Sequence, residues 1–492
     1  MRYFSTRDTQ KVHPTSLEVA ILSGLARDGG LYMPESIPKL QNSFFEALPD
    51  MELTEVAYQV ISAIVGEDIP EDILQSIVTH TFDFPIPIVP VASKSDQTKK
   101  DASVSSNSMT ADVIEEATFH VIELFHGQTM AFKDVGARFM ARMMGYFNAT
   151  KEGDLNVIVA TSGDTGGAVA AGFYGVPGVQ VHILFPKGKV SRLQELQLTS
   201  WGGNIHAYRV DGTFDDCQAL SKQALSDPEI RKIMRLTSAN SINISRLIPQ
   251  IVYYFWGAAR WLAENECRLT SHPGVLVNKA ESTMYVEDVS FTYSIPSGNF
   301  GNLTAGLFAK RMGLPIHRLI AATNDNSVLP EYLASGNYEP RRSVKTLSNA
   351  MDVGNPSNFE RMVALFDGKL DRFREVLFGS HFSDSQVVEE IQATFNTSGY
   401  HLDPHTAVAT LGMKHYLAAH PHSETTYTTE PTEARLVLAT AHPIKFGEES
   451  DPLTSISSTI PKQAYAFYGK PSQAEDCSTS YKDVKQRILQ HT

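Results

Sequence analysis

Apolar residues recur at helical spacing through the first eighty positions. Leu17, Ala20, Ile21 and Leu25 share one stripe behind Thr15 and Glu18, which have the spacing of a capping box. That pattern predicts a helix ending at Asp28-Gly29-Gly30, with Pro34 close behind. Two more helices are predicted, one from Val56, Ala57, Val60, Ile61 and Ile64, the other from Ile73, Leu74, Ile77 and Val78. A proline-broken run from Phe84 to Pro90 closes a helical N-terminal domain over residues 1–92. Residues 93–117 carry almost nothing apolar to bury, which predicts a polar surface loop.

The period then changes. Short apolar runs at 119–125, 157–160, 181–185, 291–295, 318–322 and 435–440 read as strands, and two of them run into a glycine-rich turn and a helix. Such alternation predicts an α/β core with a mainly parallel sheet and ligands at the carboxyl ends of its strands. A polar stretch at 270–288 and a charged tail over 465–492 are expected to be peripheral.

Composition narrows the functional classes. The 492 residues, 42% of them hydrophobic, suffice for a sizeable core and exclude wholesale disorder. A net charge of −13 argues against a nucleic-acid or anionic-membrane partner. Any anionic ligand must be held by local cations and backbone N–H groups. Cys217, Cys267 and Cys477 are few, odd in number and far apart, so no disulfide framework or zinc site is expected, and a reducing compartment fits. With no apolar leader and no run near the ~20 residues of a membrane span, a cytoplasmic protein is expected.

Three segments carry candidate chemistry. Thr161-Ser-Gly-Asp-Thr-Gly-Gly167 and Ser297-Gly-Asn-Phe-Gly-Asn302 each join a strand to a helix, where backbone N–H groups and the helix dipole favour an anion. One such loop reads better as a tight turn packing a helix on a sheet; two point to two anionic groups side by side. No P-loop is present and the dinucleotide fingerprint is incomplete, which leaves nicotinamide binding a weaker alternative. Lys133, in the run Leu124 to Asp134, follows a strand in apolar surroundings that would make its amine nucleophilic. This segment alone favours the plainer reading, an exposed first-turn lysine paired with Asp134. His401 and His405 stand four apart without a third metal ligand, so a helix start at Asp403-Pro404 is the expectation, with no metal. Tyr253 to Trp256 and Trp261 read as core.

The order of Arg27-Asp-Gly-Gly-Leu-Tyr-Met-Pro34, His126-Gly-Gln-Thr-Met-Ala-Phe-Lys-Asp134, Thr161 to Gly166 and Pro296-Ser-Gly-Asn-Phe-Gly301 resembles the threonine synthase family, in its longer bacterial and fungal branch. Asn240-Ser-Ile-Asn243 with Arg246, Thr346 to Asp352, Leu402 to Ala407 and Thr440-Ala-His-Pro443 extend the likeness over about residues 3–447.

The resemblance implies a fold-type II, pyridoxal 5'-phosphate-dependent enzyme resembling tryptophan synthase β, with a two-lobed parallel-sheet core over 118–464 and a smaller lobe at roughly 150–265. The implied reaction converts O-phospho-L-homoserine and water to L-threonine and phosphate, in a monomer or homodimer. A phospholyase or a serine/threonine dehydratase of the same fold is the alternative. Lys133 would carry the cofactor as a Schiff base and act as catalytic base. Gly298, Asn299, Phe300, Gly301 and Asn302 would cradle its phosphate, and Thr440 would face its pyridine nitrogen. Ser162, Gly163, Asp164 and Thr165 would take the substrate carboxylate, with Asn243 also binding substrate. Lys187, Lys189, Arg192 and Arg246 are candidate cations for the leaving phosphate. Asn302 departs from the family's acidic residue and Gln128 from its proline.

Overall fold

The computed structural model describes residues 1–91, 119–269, 275–278, 286–420 and 432–491, so the loop expected at 93–117 lies outside the described residues. Fifteen strands are described: β1 (Tyr3–Ser5), β2 (Tyr32–Pro34), β3 (Ile88–Val91), β4 (Phe119–Glu123), β5 (Leu155–Ala160), β6 (Val179–Pro186), β7 (Ile205–Val210), β8 (Arg235–Ser238), β9 (Cys267–Leu269), β10 (Val275–Asn278), β11 (Val286–Pro296), β12 (Ile316–Thr323), β13 (Leu377–His381), β14 (Thr432–Ala439) and β15 (Glu475–Cys477).

Two parallel layers emerge from these strands. The smaller sheet has the order β15-β7-β6-β5-β8, every pair parallel. Each residue of β5 is buried, as its apolar run 157–160 covered on both faces requires, and Asn156 within it is hydrogen-bonded to His182. The larger sheet runs β13-β12-β11-β14-β4-β3, with β3 antiparallel at its edge and β9–β10 folded onto the start of β11. The strand order reverses at β5 in the smaller sheet and at β11 and β14 in the larger. Ligand crevices open at such reversal points, outside the carboxyl ends. Thr161 to Gly167 leaves β5, Ser297 to Asn302 leaves β11, and Thr440 follows β14. The fold therefore brings all three segments to one place.

The helix Ile251–Glu264 packs on the larger sheet, its Gly257 against Ile122 and Tyr293, and Tyr253, Tyr254 and Phe255 on it are fully buried. Tyr293 donates to the Tyr254 carbonyl at 2.6 Å and Trp256 to the Ile86 carbonyl at 2.7 Å, so the polar ends of these rings are satisfied. Each such side chain contributes about 1.5–3 kcal/mol through burial. The helices Leu53–Val65 and Glu71–Thr81 bury the stripes expected of them against this core.

Three expectations are corrected. The first helix spans Leu17–Ser23 and is capped by Ser16, whose hydroxyl accepts from the Val19 N–H. Thr15 is held in a β-bridge with Tyr3, so its backbone is already committed. That helix stops at Gly24, leaving Leu25 38% exposed, and Asp28 instead accepts from the Gly30 N–H in a later turn. The stretch at 270–288 contributes β10 and the start of β11 to the larger sheet. The tail is not peripheral: β15 extends the smaller sheet, and the helix Tyr481–Leu489 buries Val484 and Ile488 against it.

Candidate functional site

A cavity of about 1810 Å³ opens at the carboxyl ends of β5, β11 and β14. Lys133, Arg246, His405, Thr440 and both glycine-rich loops line it.

Lys133 is the first residue of the helix Lys133–Asn148. The turn before it is stitched on both sides. Phe132 donates its N–H to the Thr440 carbonyl at 2.8 Å, and Tyr253 donates its hydroxyl to the Phe132 carbonyl at 2.7 Å. Asp134 does not pair with Lys133. It turns back and accepts from the Thr129 N–H at 2.8 Å and from the Thr129 hydroxyl. Gln128 is exposed on this turn, so the turn is held from Asp134 without a proline. The Lys133 side chain is 16% exposed. Burial lowers its pKa to about 8; the charges of Lys445 and Arg246 push the same way, and Asp164 opposes them.

Asp164 begins the helix Asp164–Phe173. The turn before it needs glycine: Gly163 has φ +135°, and a Cβ there would stand 2.5 Å from the Gln194 side chain. One oxygen of Asp164 accepts from Lys445 Nζ at 2.9 Å and from Gln194 Nε2 at 2.9 Å; the other stands 3.8 Å from Lys133 Nζ. Burial pushes its pKa up, but Lys445, Lys133 and His405 together hold the carboxyl well below the usual range. The groups of this segment left to meet a ligand anion are the Ser162 and Thr165 hydroxyls and the start of the helix, not the Asp164 carboxylate.

Phe300 adopts a left-handed conformation (φ 58°), which starts the helix Gly301–Arg311 facing the cavity. A Cβ on Gly301 would meet no atom closer than 3.7 Å, so the space above this N-terminus is open. The N–H groups of Gly298, Asn299, Phe300 and Gly301 donate to no backbone acceptor among the described residues. Asn302 accepts from the Tyr254 hydroxyl at 3.0 Å, and its own Nδ2 is buried with no partner. Free donors in an open cradle are what a phosphate monoester requires. Thr440, buried to 5% exposure, lines the same cavity. These residues fit pyridoxal phosphate.

His405 braces the cradle from below. Its Nε2 accepts from the Ala350 N–H at 3.1 Å, which puts the proton on Nδ1, where it is donated to Asp403 at 2.9 Å. Asp403 caps the helix Pro404–Ala419, as the sequence predicts. Among the described residues no group of three ligands for a metal ion occurs.

Some expected residues are not brought to the site. Lys187 is exposed and paired with Asp476 at 2.9 Å, Lys189 and Arg192 face solvent, and none of the three lines the cavity. They follow β6, whose carboxyl end lies away from the reversal point. Asn243 is fully buried, caps the turn Ile244–Leu247 and donates to the Ile21 carbonyl at 2.8 Å. It holds structure and does not line the cavity. Arg246 does line the cavity, with its Nε buried and unpartnered. Sequence reasoning missed Lys445, which no local pattern distinguishes, and passed over His405 as a mere helix start. It also gave no role to Asp352, whose carboxyl burial raises to about 6.

Fold and site together define a pyridoxal-phosphate-dependent enzyme of fold-type II, and the sequence model of the family "Pyridoxal-phosphate dependent enzyme" matches residues 116–428. A second family model, "Threonine synthase N terminus", matches residues 2–82. The threonine synthase of Haemophilus influenzae is 37% identical over 470 residues, 96% of each chain. The crystal structure of threonine synthase from Escherichia coli is 34% identical, with a TM-score of 0.80 and complete coverage of both chains. The structure of a PLP-bound threonine synthase from Brucella melitensis gives a TM-score of 0.81 at 32% identity, covering 100% of this chain and 99% of that one. The chain belongs to the threonine synthase family, whose members are pyridoxal-phosphate-dependent lyases.

Proposed function

We propose that the protein takes O-phospho-L-homoserine and water to L-threonine and phosphate. The observation that carries this reading is a buried amine of lowered proton affinity, Lys133, sharing one cavity with the buried guanidinium of Arg246 and two helix N-termini. A dianionic substrate carrying both a carboxylate and a phosphate needs that combination.

The cradle 298–302 and Lys133 would hold pyridoxal phosphate, with the Thr440 hydroxyl at its ring nitrogen. When bound, the cofactor supplies an electron sink for charge developing on the substrate carbons. Ser162 and Thr165 hydrogen-bond the substrate carboxylate at the start of the helix Asp164–Phe173. The Lys133 amine removes the α-proton and then a β-proton. The γ-carbon–oxygen bond breaks, the phosphate leaves with the electron pair, and Arg246 stabilises its charge. A proton returns to the γ-carbon to form the methyl group, hydroxide from water adds at the β-carbon, and Lys133 reprotonates the α-carbon. An amine with a pKa of about 8 suits these transfers, since it must accept and donate near neutral pH.

The same reading puts the enzyme in the cytoplasm as a monomer or homodimer. Cysteines few and odd in number fit a reducing compartment, and no helix among the described residues is long and apolar enough to cross a membrane.

Product analysis tests the proposal. Purified protein supplied with pyridoxal phosphate and O-phospho-L-homoserine is expected to release threonine and phosphate in equal amounts, and Lys133→Ala to release neither. Phosphate with 2-oxobutyrate and no threonine would refute the synthase reading in favour of a phospholyase.

A further inference from the structure

Lys445 takes no part in the chemistry above, yet it shares the Asp164 carboxylate with Lys133. It follows β14 in the short turn Pro443–Phe446 and is completely buried. Its three ammonium hydrogens meet three acceptors: Asp164 Oδ1 at 2.9 Å, the Thr129 carbonyl at 2.7 Å and Gln197 Oε1 at 2.8 Å. Two consequences follow from that geometry. Thr129 roots the turn that presents Lys133, so Lys445 fixes that turn from below while Asp134 fixes it from the side. Asp164, meanwhile, is one carboxylate shared by two ammonium groups. Its Oδ1 is already taken by Lys445 and Gln194, and only Oδ2 faces Lys133, at 3.8 Å.

With Lys133 neutral, the buried trio of Lys133, Asp164 and Lys445 balances in charge. A proton on Lys133 leaves a net positive charge in a desolvated place, with Arg246 adding a further cation on the cavity side. Were Lys445 absent, Asp164 would serve as a full counter-ion to Lys133 and hold its proton firmly.

We propose that Lys445 is a positioning residue for the proton transfers of Lys133: it neutralises Asp164 and anchors the Thr129 turn, so that the amine is held in place without a counter-ion of its own. This rests on the reading of Lys133 as the base of the reaction.

The test compares Lys445→Gln, Lys445→Arg and Asp164→Asn in the full chain. Two quantities are followed against pH: kcat of the holoenzyme, and the rate of reductive methylation of Lys133 by formaldehyde and cyanoborohydride after the cofactor is stripped. Lys445→Gln is expected to raise the midpoint of both by about one pH unit or more, since it removes a repulsion and strengthens an attraction at short range. Asp164→Asn should move both midpoints down, and Lys445→Arg should leave them within a few tenths of the parent. If Lys445→Gln lowers kcat equally at every pH and neither midpoint moves, the lysine merely supports the fold and the proposal is wrong. If Lys445→Gln does not fold, Asp164→Asn decides alone, and an unmoved or raised midpoint overturns the proposal. The methylation readout needs no substrate, so it stands apart from the product analysis. A parent enzyme that makes no threonine would sink the substrate reading and leave the midpoints to judge Lys445.

Discussion

Gly298 and Gly301 stand three residues apart in the phosphate cradle and should fail in opposite ways when replaced by alanine. A Cβ on Gly298 would lie 2.7 Å from Met351 Cα and 3.1 Å from the Ala350 carbonyl oxygen, both backbone atoms. Ordinary contact begins near 3.4 Å, so one segment must retreat by roughly 0.7 Å. The 349–351 turn is poorly placed to do so, because Ala350 donates to His405, and His405 is held in turn by Asp403. Overpacking of this kind costs about 1–3 kcal/mol. Gly298→Ala should therefore lower the stability of the cofactor-free protein by that amount and weaken pyridoxal phosphate binding as well. At Gly301 the nearest atoms to a Cβ are 3.7 Å away or further, so Gly301→Ala should leave the cofactor-free protein within about 0.5 kcal/mol of the parent. A methyl group there would nevertheless occupy the space over the helix N-terminus. Losing even one or two phosphate hydrogen bonds, at about 1.5 kcal/mol each, raises the dissociation constant roughly 10- to 100-fold. Calorimetric unfolding of both stripped variants and a spectrophotometric titration with pyridoxal phosphate measure the two quantities. Unchanged cofactor affinity in Gly301→Ala would refute the placement of the phosphate at this helix.

Arg246→Ala should raise the apparent KM for O-phospho-L-homoserine at least about 30-fold, the loss expected when one partner of a buried charge pair is truncated; an unchanged KM would remove Arg246 from phosphate binding. His182 is fully buried between the Tyr208 hydroxyl and Asn156, beside His206 and His491, and burial first, then those imidazoles, push its pKa down to about 3. Because the folded value lies below the unfolded ~6.5, its contribution is intact above pH 6.5 and is lost as pH falls from there towards 3, at about 1.4 kcal/mol per pH unit. His182→Gln should therefore flatten the acid side of the stability curve, measured by urea unfolding between pH 7 and 4, and an equally steep fall would refute the assignment. The cavity collects ten Lys and Arg side chains against four Asp and Glu, in a chain of net charge −13. kcat/KM should consequently fall several-fold with added salt while kcat holds, and Lys222→Gln with Arg231→Gln at the mouth should reduce the salt dependence.

The sequence made legible what local chemistry controls. Lys133 and the two glycine-rich loops could be found because a strand, a turn and a helix start lie within a dozen residues of one another. The helices at 53–65 and 71–81 were visible because their stripes are long and regular. What stayed hidden depends on partners far along the chain. Asp164 and Lys445 are 281 positions apart, and nothing near either announces the other. Lys187 and Arg192 looked plausible because they follow a strand, but only the sheet order shows that β6 lies beside the reversal point and not at it. Asn243 was misread because a helix cap and a ligand donor use the same side chain. The error at Thr15 was smaller: two adjacent hydroxyl residues both suit a cap, and the bridge to Tyr3 decides between them.

The strand β15 gives the smaller lobe an unusual history during synthesis. A ribosome delivers β5 to β8 first, then all of β11 to β14, and only afterwards residues 475–477, which pair with β7. For more than two hundred residues of translation the nascent lobe must keep the flank of β7 unpaired. Its backbone N–H and C=O groups are meanwhile open to any passing strand. The late segment then covers that flank, and the helix behind it buries Val484 and Ile488 as it docks. Until β15 pairs, the β7 edge thus offers the backbone groups that the folded protein covers.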